Sequence, residues 1–479
     1  MTEPRAAATS RGAGIGADLH LEVRGPRLRA GLVEALREAV RSGRLAPGTR
    51  LPSSRVLAVD LGVARNTVAE AYAELVAEGR LVARQGSGTR VAPQSAPVGR
   101  GVRRGGPAAR VRAERGGPRH DLRAGTPDLS SFPRAEWLRA ARRALTAAPD
   151  EAFGYGDPRG RPELRAALAE YLARTRGVVT HPDRILVCSG FLHGLTLMAK
   201  VLRGRRTRSV AVESHGLDLH WDTLDDHGLR TRPLGHDDLG TRVDGALTDG
   251  AGAVLLTPAH QFPLGLPLHP DRRVAVVDWA RRTGGLLLED DYDGEFRYDR
   301  RPVGALQGLD PERVVYLGTA SKSLAPGLRL GWMVLPEHLV DEVLRAKTTR
   351  RRTDWALGAP DQLTLAEFLA SGAYDRHVRA VRLRYRSRRD QLVAALAEHA
   401  PDIRVSGIAA GLHAVLELPR GTEPSVIRAA AWQGLALEGL SRFRHPDAPD
   451  GGDALVVGYG RPSDSAWPGA LAALCRALP

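Results

Sequence analysis

The chain has 479 residues, 43% hydrophobic and 26% charged, and a net charge of +14. Such values exclude wholesale disorder and a fibrous chain, and the length suggests two to four domains. No stretch approaches the roughly 18 uninterrupted apolar residues of a membrane helix. The polar residues 1–16 lack the apolar core of a secretory signal. Two cysteines, Cys188 and Cys475, make neither a disulfide framework nor a metal site, so no metal and a reducing, cytoplasmic setting are expected.

The charge is uneven. Residues 1–120 hold 21 arginines and no lysine against 10 acids, which places +11 of the +14 in a quarter of the chain. A concentrated basic field attracts phosphates by releasing their counterions. Charge alone does not separate a nucleic-acid partner from a solvated basic surface. Lysine is scarce, with only Lys200, Lys322 and Lys347 beside 66 arginines. Lysine, unlike arginine, loses its proton readily enough to act as an amine nucleophile.

In chain order, residues 1–20 read as disordered. Leu28, Leu32, Leu36 and Val40 recur at helical spacing over 27–40. Gly43 to Gly48 forms a turn around Pro47. Ser53 and Ser54 can cap a short helix over 55–61, ended by Gly62. A third helix over 66–78 turns Val68, Tyr72 and Leu75 inward. Residues 81–91 read as a hairpin with Gly86-Ser87-Gly88 at its tip. Three helices and a hairpin in this span make a winged helix-turn-helix over 21–92. Its third helix would enter a major groove by its first turn, where Arg65, Asn66 and Thr67 stand. Arg65 can reach guanine or a phosphate, Thr67 favours phosphate, and Arg55 faces the backbone. Ser87 and Gly88, with Thr89 and Arg90, have the small, basic character of a wing.

Residues 93–120, rich in arginine, glycine and proline, read as an extended linker. From 121 onward short apolar runs alternate with helical stretches: 185–188, 210–212, 253–256, 286–288, 314–317 and 332–335. Runs of this kind mark strands covered on both faces, so the fold class is α/β with a mostly parallel sheet. Residues 374–479 suggest a smaller α+β subdomain with strands near 413–418 and 454–458.

One constellation carries chemistry in this half. Lys322, in Ser321-Lys322-Ser323, follows a strand end, where a lysine can form a Schiff base with an aldehyde. Arg329 and the hydroxyls of Thr319 and Ser321 could hold a phosphate. Asp290 and Tyr292 follow another strand, where doubly wound sheets bind ligands, and an acid there can keep a pyridine nitrogen protonated. Ser189-Gly190 can present amides at a helix start.

Residues 25–92 resemble the GntR family of bacterial regulators, through Gly43-Arg44-Leu45-Ala46-Pro47-Gly48, Leu51-Pro52-Ser53-Ser54-Arg55, Leu61-Gly62-Val63, Arg65-Asn66-Thr67-Val68 and Gly86-Ser87-Gly88-Thr89. Ala64 stands where that family usually has serine. Residues 121–479 resemble fold-type-I pyridoxal-phosphate enzymes of the aspartate aminotransferase kind. That match rests on Tyr155-Gly156-Asp157-Pro158, Ser189-Gly190, His260-Gln261-Phe262-Pro263, Asp290-Asp291-Tyr292 and Ser321-Lys322-Ser323 with Arg329. Joined in this order, the whole chain resembles the MocR subfamily.

The resemblance implies pyridoxal 5'-phosphate as cofactor, bound as an aldimine on Lys322. Asp290 would pair with the ring nitrogen and Tyr292 with the ring hydroxyl, near His260 and Gln261. Gly190, Phe191, Thr319, Ser321 and Arg329 would hold the phosphate. Tyr155 would reach the neighbouring subunit's phosphate in a head-to-tail homodimer. The expected partners are operator DNA, the cofactor and a small amino compound, with no membrane. Two departures matter. Leu217 occupies the position of the aromatic that stacks on the ring, leaving His215 or Trp221 as substitutes. Val456 lies where relatives carry the arginine that grips an amino-acid carboxylate, with Arg442 and Arg461 nearby but out of register. The implied function is a cofactor-sensing regulator of vitamin B6 synthesis or amino-compound metabolism genes, rather than a true enzyme. An active aminotransferase and a catalytically dead dimerisation scaffold are the alternatives.

Overall fold

The computed structural model describes residues 28–84, 88–93, 117–243, 250–298, 303–348 and 357–479. These divide into two compact units, a head that ends before residue 116 and a body after it. The expected tail, 1–20, and most of the expected linker, 93–120, lie outside the described residues. Among the described residues no helix is long and apolar enough to cross a membrane.

In the head, α1 (Leu28–Arg41), α2 (Ser54–Leu61) and α3 (Arg65–Ala77) surround one small core. Val68, Ala71 and Leu75 of α3 are its most deeply buried members, with Leu32 and Leu36 of α1 packed beside them. Ser53 caps α2 by accepting from the Val56 amide at 3.3 Å. Gly62 ends α2 in the left-handed region (φ 65°) while its amide answers the Ala58 and Val59 carbonyls. This C-cap is the tight corner that sets α3 across α2. Tyr72 donates its hydroxyl to the Pro52 carbonyl at 3.0 Å and ties α3 to the turn before α2. The strands β1 (Leu81–Arg84) and β2 (Gly88–Val91) pair antiparallel, as the hairpin reading expects. Helix and strand bounds agree with the sequence reading to within a residue or two.

The body is built on seven strands: β3 (Ile185–Cys188), β4 (Ser209–Glu213), β5 (Arg230–Leu234), β6 (Ala253–Leu256), β7 (Leu286–Asp291), β8 (Val314–Thr319) and β9 (Gly331–Val334). Their order in the sheet is β3-β9-β8-β7-β6-β4-β5. Every pairing is parallel except the two made by β9. The near-continuous apolar runs arise because helices cover both faces. Alternation sorts the side chains: Leu286, Leu288 and Leu317 pack toward one cluster, Tyr316, Trp332 and Val334 toward another. Strand β5 has no such run, since it is an edge strand with arginines and a proline.

Helices α4 (Pro162–Arg176), α5 (Phe191–Gly204), α6 (Asp218–Asp226), α7 (Pro270–Thr283), α8 (Val340–Lys347) and α9 (Ala359–Ala370) flank the sheet. The 27-residue α10 (Ala373–His399) leads to the smaller subdomain. There β10 (Val405–Ser406), β11 (Ala414–Glu417), β12 (Glu438–Gly439) and β13 (Ala454–Val457) form an antiparallel sheet in the order β10-β11-β13-β12. It packs with α11 (Glu423–Trp432) and α12 (Trp467–Ala477) around Leu416, Leu455 and Leu474.

Candidate functional site

Strand β7 ends in three acids, and its pleat sends them to opposite faces. Glu289 and Asp291 turn one way. Glu289 accepts the amides of Leu306 at 2.7 Å and Gln307 at 2.9 Å. Asp291 accepts both Nε and Nη2 of Arg176, on α4, at 2.6 and 2.9 Å, and the Tyr316 hydroxyl at 2.7 Å. Asp290 turns the other way, into a cavity of about 420 Å³. Its Oδ1 is buried with no hydrogen-bond partner among the described residues. Burial pushes this carboxyl well above its ordinary range, with the Lys322 ammonium opposing.

Lys322 lines the same cavity, and its Nζ donates to the Gly125 carbonyl at 2.5 Å. Burial lowers the affinity of this amine for its proton, against the attraction of Asp290 and Asp293. Gly190, Phe191, Thr319, Ser321 and Arg329 line the wall. Gly190 sits at φ 97° before the first turn of α5, and a Cβ on Gly331 would come within 2.7 Å of the Gly190 Cα. Both positions need glycine for the backbones to meet. The Arg329 guanidinium lies 3.8 Å from where a Gly190 Cβ would be. Thr319 donates to the Ser321 hydroxyl at 2.9 Å and accepts the Ser321 amide at 3.1 Å. A guanidinium, two hydroxyls and a helix N-terminus at one wall make a cup for a dianion.

Tyr292 also lines the cavity. His260 stands behind it, with Nδ1 3.0 Å from the Tyr292 hydroxyl and 2.8 Å from Asp293 Oδ2. Gln261 does not reach the cavity. Its amide nitrogen donates to the carbonyls of His215 at 2.8 Å and Phe262 at 2.6 Å, and its oxygen accepts the Leu264 amide at 2.9 Å. Both polar ends of Gln261 are thus engaged by backbone groups of its own loop and of His215. Tyr155, 94% exposed, lines a separate cleft with Asp157 and Gln362.

Leu217 is at the cavity's edge, and the two proposed aromatic substitutes, His215 and Trp221, line it as well. So does His220, which the sequence reading missed. Its ring is 4.6 Å from that of Phe191. The signal was available: His220 lies three residues past Leu217, in the first turn of α6, and so faces the same way. Burial holds both His215 and His220 down to about 4, so both imidazoles are neutral near pH 7. Of the arginines named as carboxylate clamps, Arg442 lines the cavity but is paired with Asp218 at 2.8 Å. Arg461 pairs with Asp121 at 2.9 Å. Val456 is fully buried within the small sheet, on β13 between Val415 and Glu438.

In the head, Arg55, Arg65 and Asn66 are exposed and Thr67 is half-buried. Ala64 caps α3 without a side-chain bond. Gly88 holds φ 82°, and a Cβ there would press within 3.3 Å of Arg50. Ser87 lies outside the described residues. Exposed Arg50, bridged to Arg90 beside the wing, is a second basic group not anticipated from the motif.

Residues 28–91 match the family profile "Bacterial regulatory proteins, gntR family", and residues 120–443 match "Aminotransferase class I and II". The chain is 34% identical, over 89% of both chains, to a Rhizobium meliloti protein named "Probable rhizopine catabolism regulatory protein MocR". It is 33% identical to the HTH-type pyridoxine biosynthesis transcriptional regulator PdxR of Corynebacterium glutamicum, over 90% of this chain and 91% of that one. Among solved structures, an archaeal alanine:glyoxylate aminotransferase superposes with a TM-score of 0.66 at 25% identity, covering 74% of this chain and 89% of its own. With a regulator's winged helix-turn-helix at one end and an aminotransferase fold at the other, the chain belongs to the MocR subfamily of GntR-type transcriptional regulators.

Proposed function

We propose that the body takes up pyridoxal 5'-phosphate on Lys322 and that this occupancy changes how the head grips operator DNA. The carrying observation is the Asp290 carboxyl, buried with an unpartnered oxygen in the cavity that also holds the Lys322 amine. A buried acceptor without a partner is costly, and a protonated ring nitrogen would satisfy it. When bound, that group supplies an aldehyde for covalent attachment and a pyridine nitrogen that withdraws electrons. Gly190, Phe191, Thr319, Ser321 and Arg329 would hold the phosphate and Tyr292 the ring hydroxyl. Tyr155 would complete the site of a second subunit in a head-to-tail homodimer.

The charge at the mouth favours the cofactor itself as effector. Arg442 and Arg461 are each held by an acid, so a free amino acid finds no unengaged arginine there to orient its carboxylate. Control of vitamin B6 supply genes follows more naturally than control by an amino compound. Coupling between body and head is reciprocal, so operator DNA changes cofactor affinity by the factor with which the cofactor changes DNA affinity. The test is DNA binding of wild type and Lys322→Ala with and without the cofactor. A cofactor-dependent shift in the wild type, absent from the variant, is expected; an equal shift in both would overturn the switch.

One set of residues favours a second reading, an aminotransferase with secondary DNA binding: Lys322, Asp290 and Tyr292 all line the cavity. Repeated turnover of amino and keto acids, followed through the amino form of the cofactor, would establish it.

A further inference from the structure

Six charged side chains line the cavity that holds Lys322. Three of them, Lys322, Asp290 and Arg329, are the groups that the cofactor would engage at its aldehyde, ring nitrogen and phosphate. Glu213 is satisfied by the protein, accepting the Thr241 hydroxyl at 2.7 Å and the Thr257 amide at 3.1 Å. Arg442 is held by Asp218 at 2.8 Å. The sixth is Glu438, half-buried, whose carboxylate makes no hydrogen bond or ion pair among the described residues.

The cations around Glu438 are engaged elsewhere. Asp121 accepts from Arg123 at 2.7 Å and from Arg461 at 2.9 Å. Burial raises the Glu438 carboxyl above its ordinary range, and Arg123, Arg442 and Arg461 oppose this only through space. Strand pairing explains why the side chain faces inward. On β12, Glu438 stands directly opposite Val456 of β13, and directly opposed residues of an antiparallel pair turn to one face of the sheet. Val456 is where the resemblance places the arginine that grips an amino-acid carboxylate. At that wall the cation is therefore replaced by an apolar side chain, and its cross-strand neighbour is an anion. A carboxylate drawn partly out of water without a partner is costly, and a ligand cation would relieve that cost. The same cavity offers Ala124, Phe262, Leu412 and Phe443 as apolar wall, which suits a methylene chain.

Resting on the cofactor reading above, we propose that Glu438 is an ammonium-binding subsite. The amino compound that the loaded cavity admits is then a diamine or polyamine, with one amine toward Lys322 and the next at Glu438. The same carboxylate turns away compounds whose far end is an anion.

The experiment uses the full-length protein loaded with pyridoxal 5'-phosphate and measures Kd by calorimetric titration. Three probes share a four-carbon frame and one primary amine: putrescine ends in an ammonium, butylamine in a methyl and γ-aminobutyrate in a carboxylate. Wild type should bind putrescine about tenfold more tightly than butylamine, the size expected of one charge-assisted contact, and γ-aminobutyrate most weakly. Glu438→Gln keeps the shape and removes the charge. It should bring putrescine to the level of butylamine and leave butylamine unchanged. Salt gives a second measurement that needs no variant: at about 1 M the putrescine advantage of the wild type should shrink, because the contact is partly exposed. Wild type that binds putrescine no better than butylamine, or an advantage that survives Glu438→Gln, would overturn the subsite while leaving Lys322 attachment intact. A wild type that forms no borohydride-sensitive band on loading would overturn the cofactor reading and this one together.

Discussion

Arg442 is held by Asp218 across 2.8 Å at the edge of the cavity that Lys322 and Asp290 line. The pair spans two elements, since Asp218 opens α6 and Arg442 follows β12. Both side chains are about half exposed, so the pair adds little stability and its main effect is to occupy the guanidinium. Asp218→Asn should release it. The expected outcome is tighter capture of amino acids by the cofactor-loaded protein, about tenfold or somewhat less, consistent with one charge-assisted contact. Spectral titration with a dicarboxylic amino acid measures it. No gain would mean that Arg442 cannot reach the bound compound.

DNA affinity should separate the two basic groups of the head. Arg65, in the first turn of α3, is placed for a base edge or a phosphate, whereas Arg50 sits beside the wing. Arg65→Ala should weaken operator binding by about 1–3 kcal/mol and relax preference at one base pair. Arg50→Ala should weaken all sequences alike and lower the salt slope of binding by about one. Fluorescence anisotropy over a range of salt concentrations distinguishes them. A loss of sequence preference in Arg50→Ala would reverse the assignment.

The parts of this molecule that were legible in the sequence share a physical reason. The helix-turn-helix was readable because Ser53 and Gly62 are local capping devices, and local signals survive in one dimension. The strands β3 and β6 were readable as unbroken apolar runs. Lys322 and Asp290 stood out because each lies at or just past the end of a strand, and the sheet brings strand ends together; Arg329 was read from its spacing seven residues beyond the lysine. What was not legible depends on partners that only the fold brings together. The bonds of the Gln261 side chain to the His215 and Leu264 backbones are invisible without the folded loop. Asp293 received no role from the sequence, because its partner His260 lies 33 residues away. Polar edge strand β5 lacked the burial that makes a strand readable.

Behind Asp290, the buried pair of Arg176 and Asp291 ties α4 to β7. Both side chains are nearly solvent-free, at 4% and 2% exposure, and Tyr316 shares the carboxylate. Removing the cation leaves a buried carboxylate without its main counter-charge. Arg176→Met should therefore cost roughly 3–5 kcal/mol in a denaturant melt of the body. It should also loosen cofactor binding, because Asp291 adjoins Asp290 on β7. Arg176→Met together with Asp291→Leu should recover part of the stability, since an apolar pair removes the uncompensated charge. A single variant as stable as wild type would show that water reaches the pair.

The acid side of the stability profile should carry the mark of His413. In an unfolded chain a histidine titrates near 6.5, but burial holds His413 down to about 3 in the folded body. Between these values the unfolded chain binds the extra proton, so unfolding gains ground as the pH falls. The contribution is complete above pH 6.5 and is lost progressively toward pH 3. His215 and His220, held at about 4, act with the same sign. Glu213 and Glu295, pushed up by burial to about 7, act oppositely: the folded state keeps their protons, and their contribution is lost as the pH rises through 7. These opposing terms overlap between pH 4.5 and 6.5, so the wild-type curve alone does not isolate a histidine. The difference between wild type and His413→Gln does. Each such histidine adds up to about 1.4 kcal/mol per pH unit to the slope of unfolding free energy, so between pH 6 and 4 the wild type should lose about 2.5 kcal/mol more than His413→Gln in urea titrations of cofactor-free protein. Parallel curves would mean that His413 takes up its proton without unfolding.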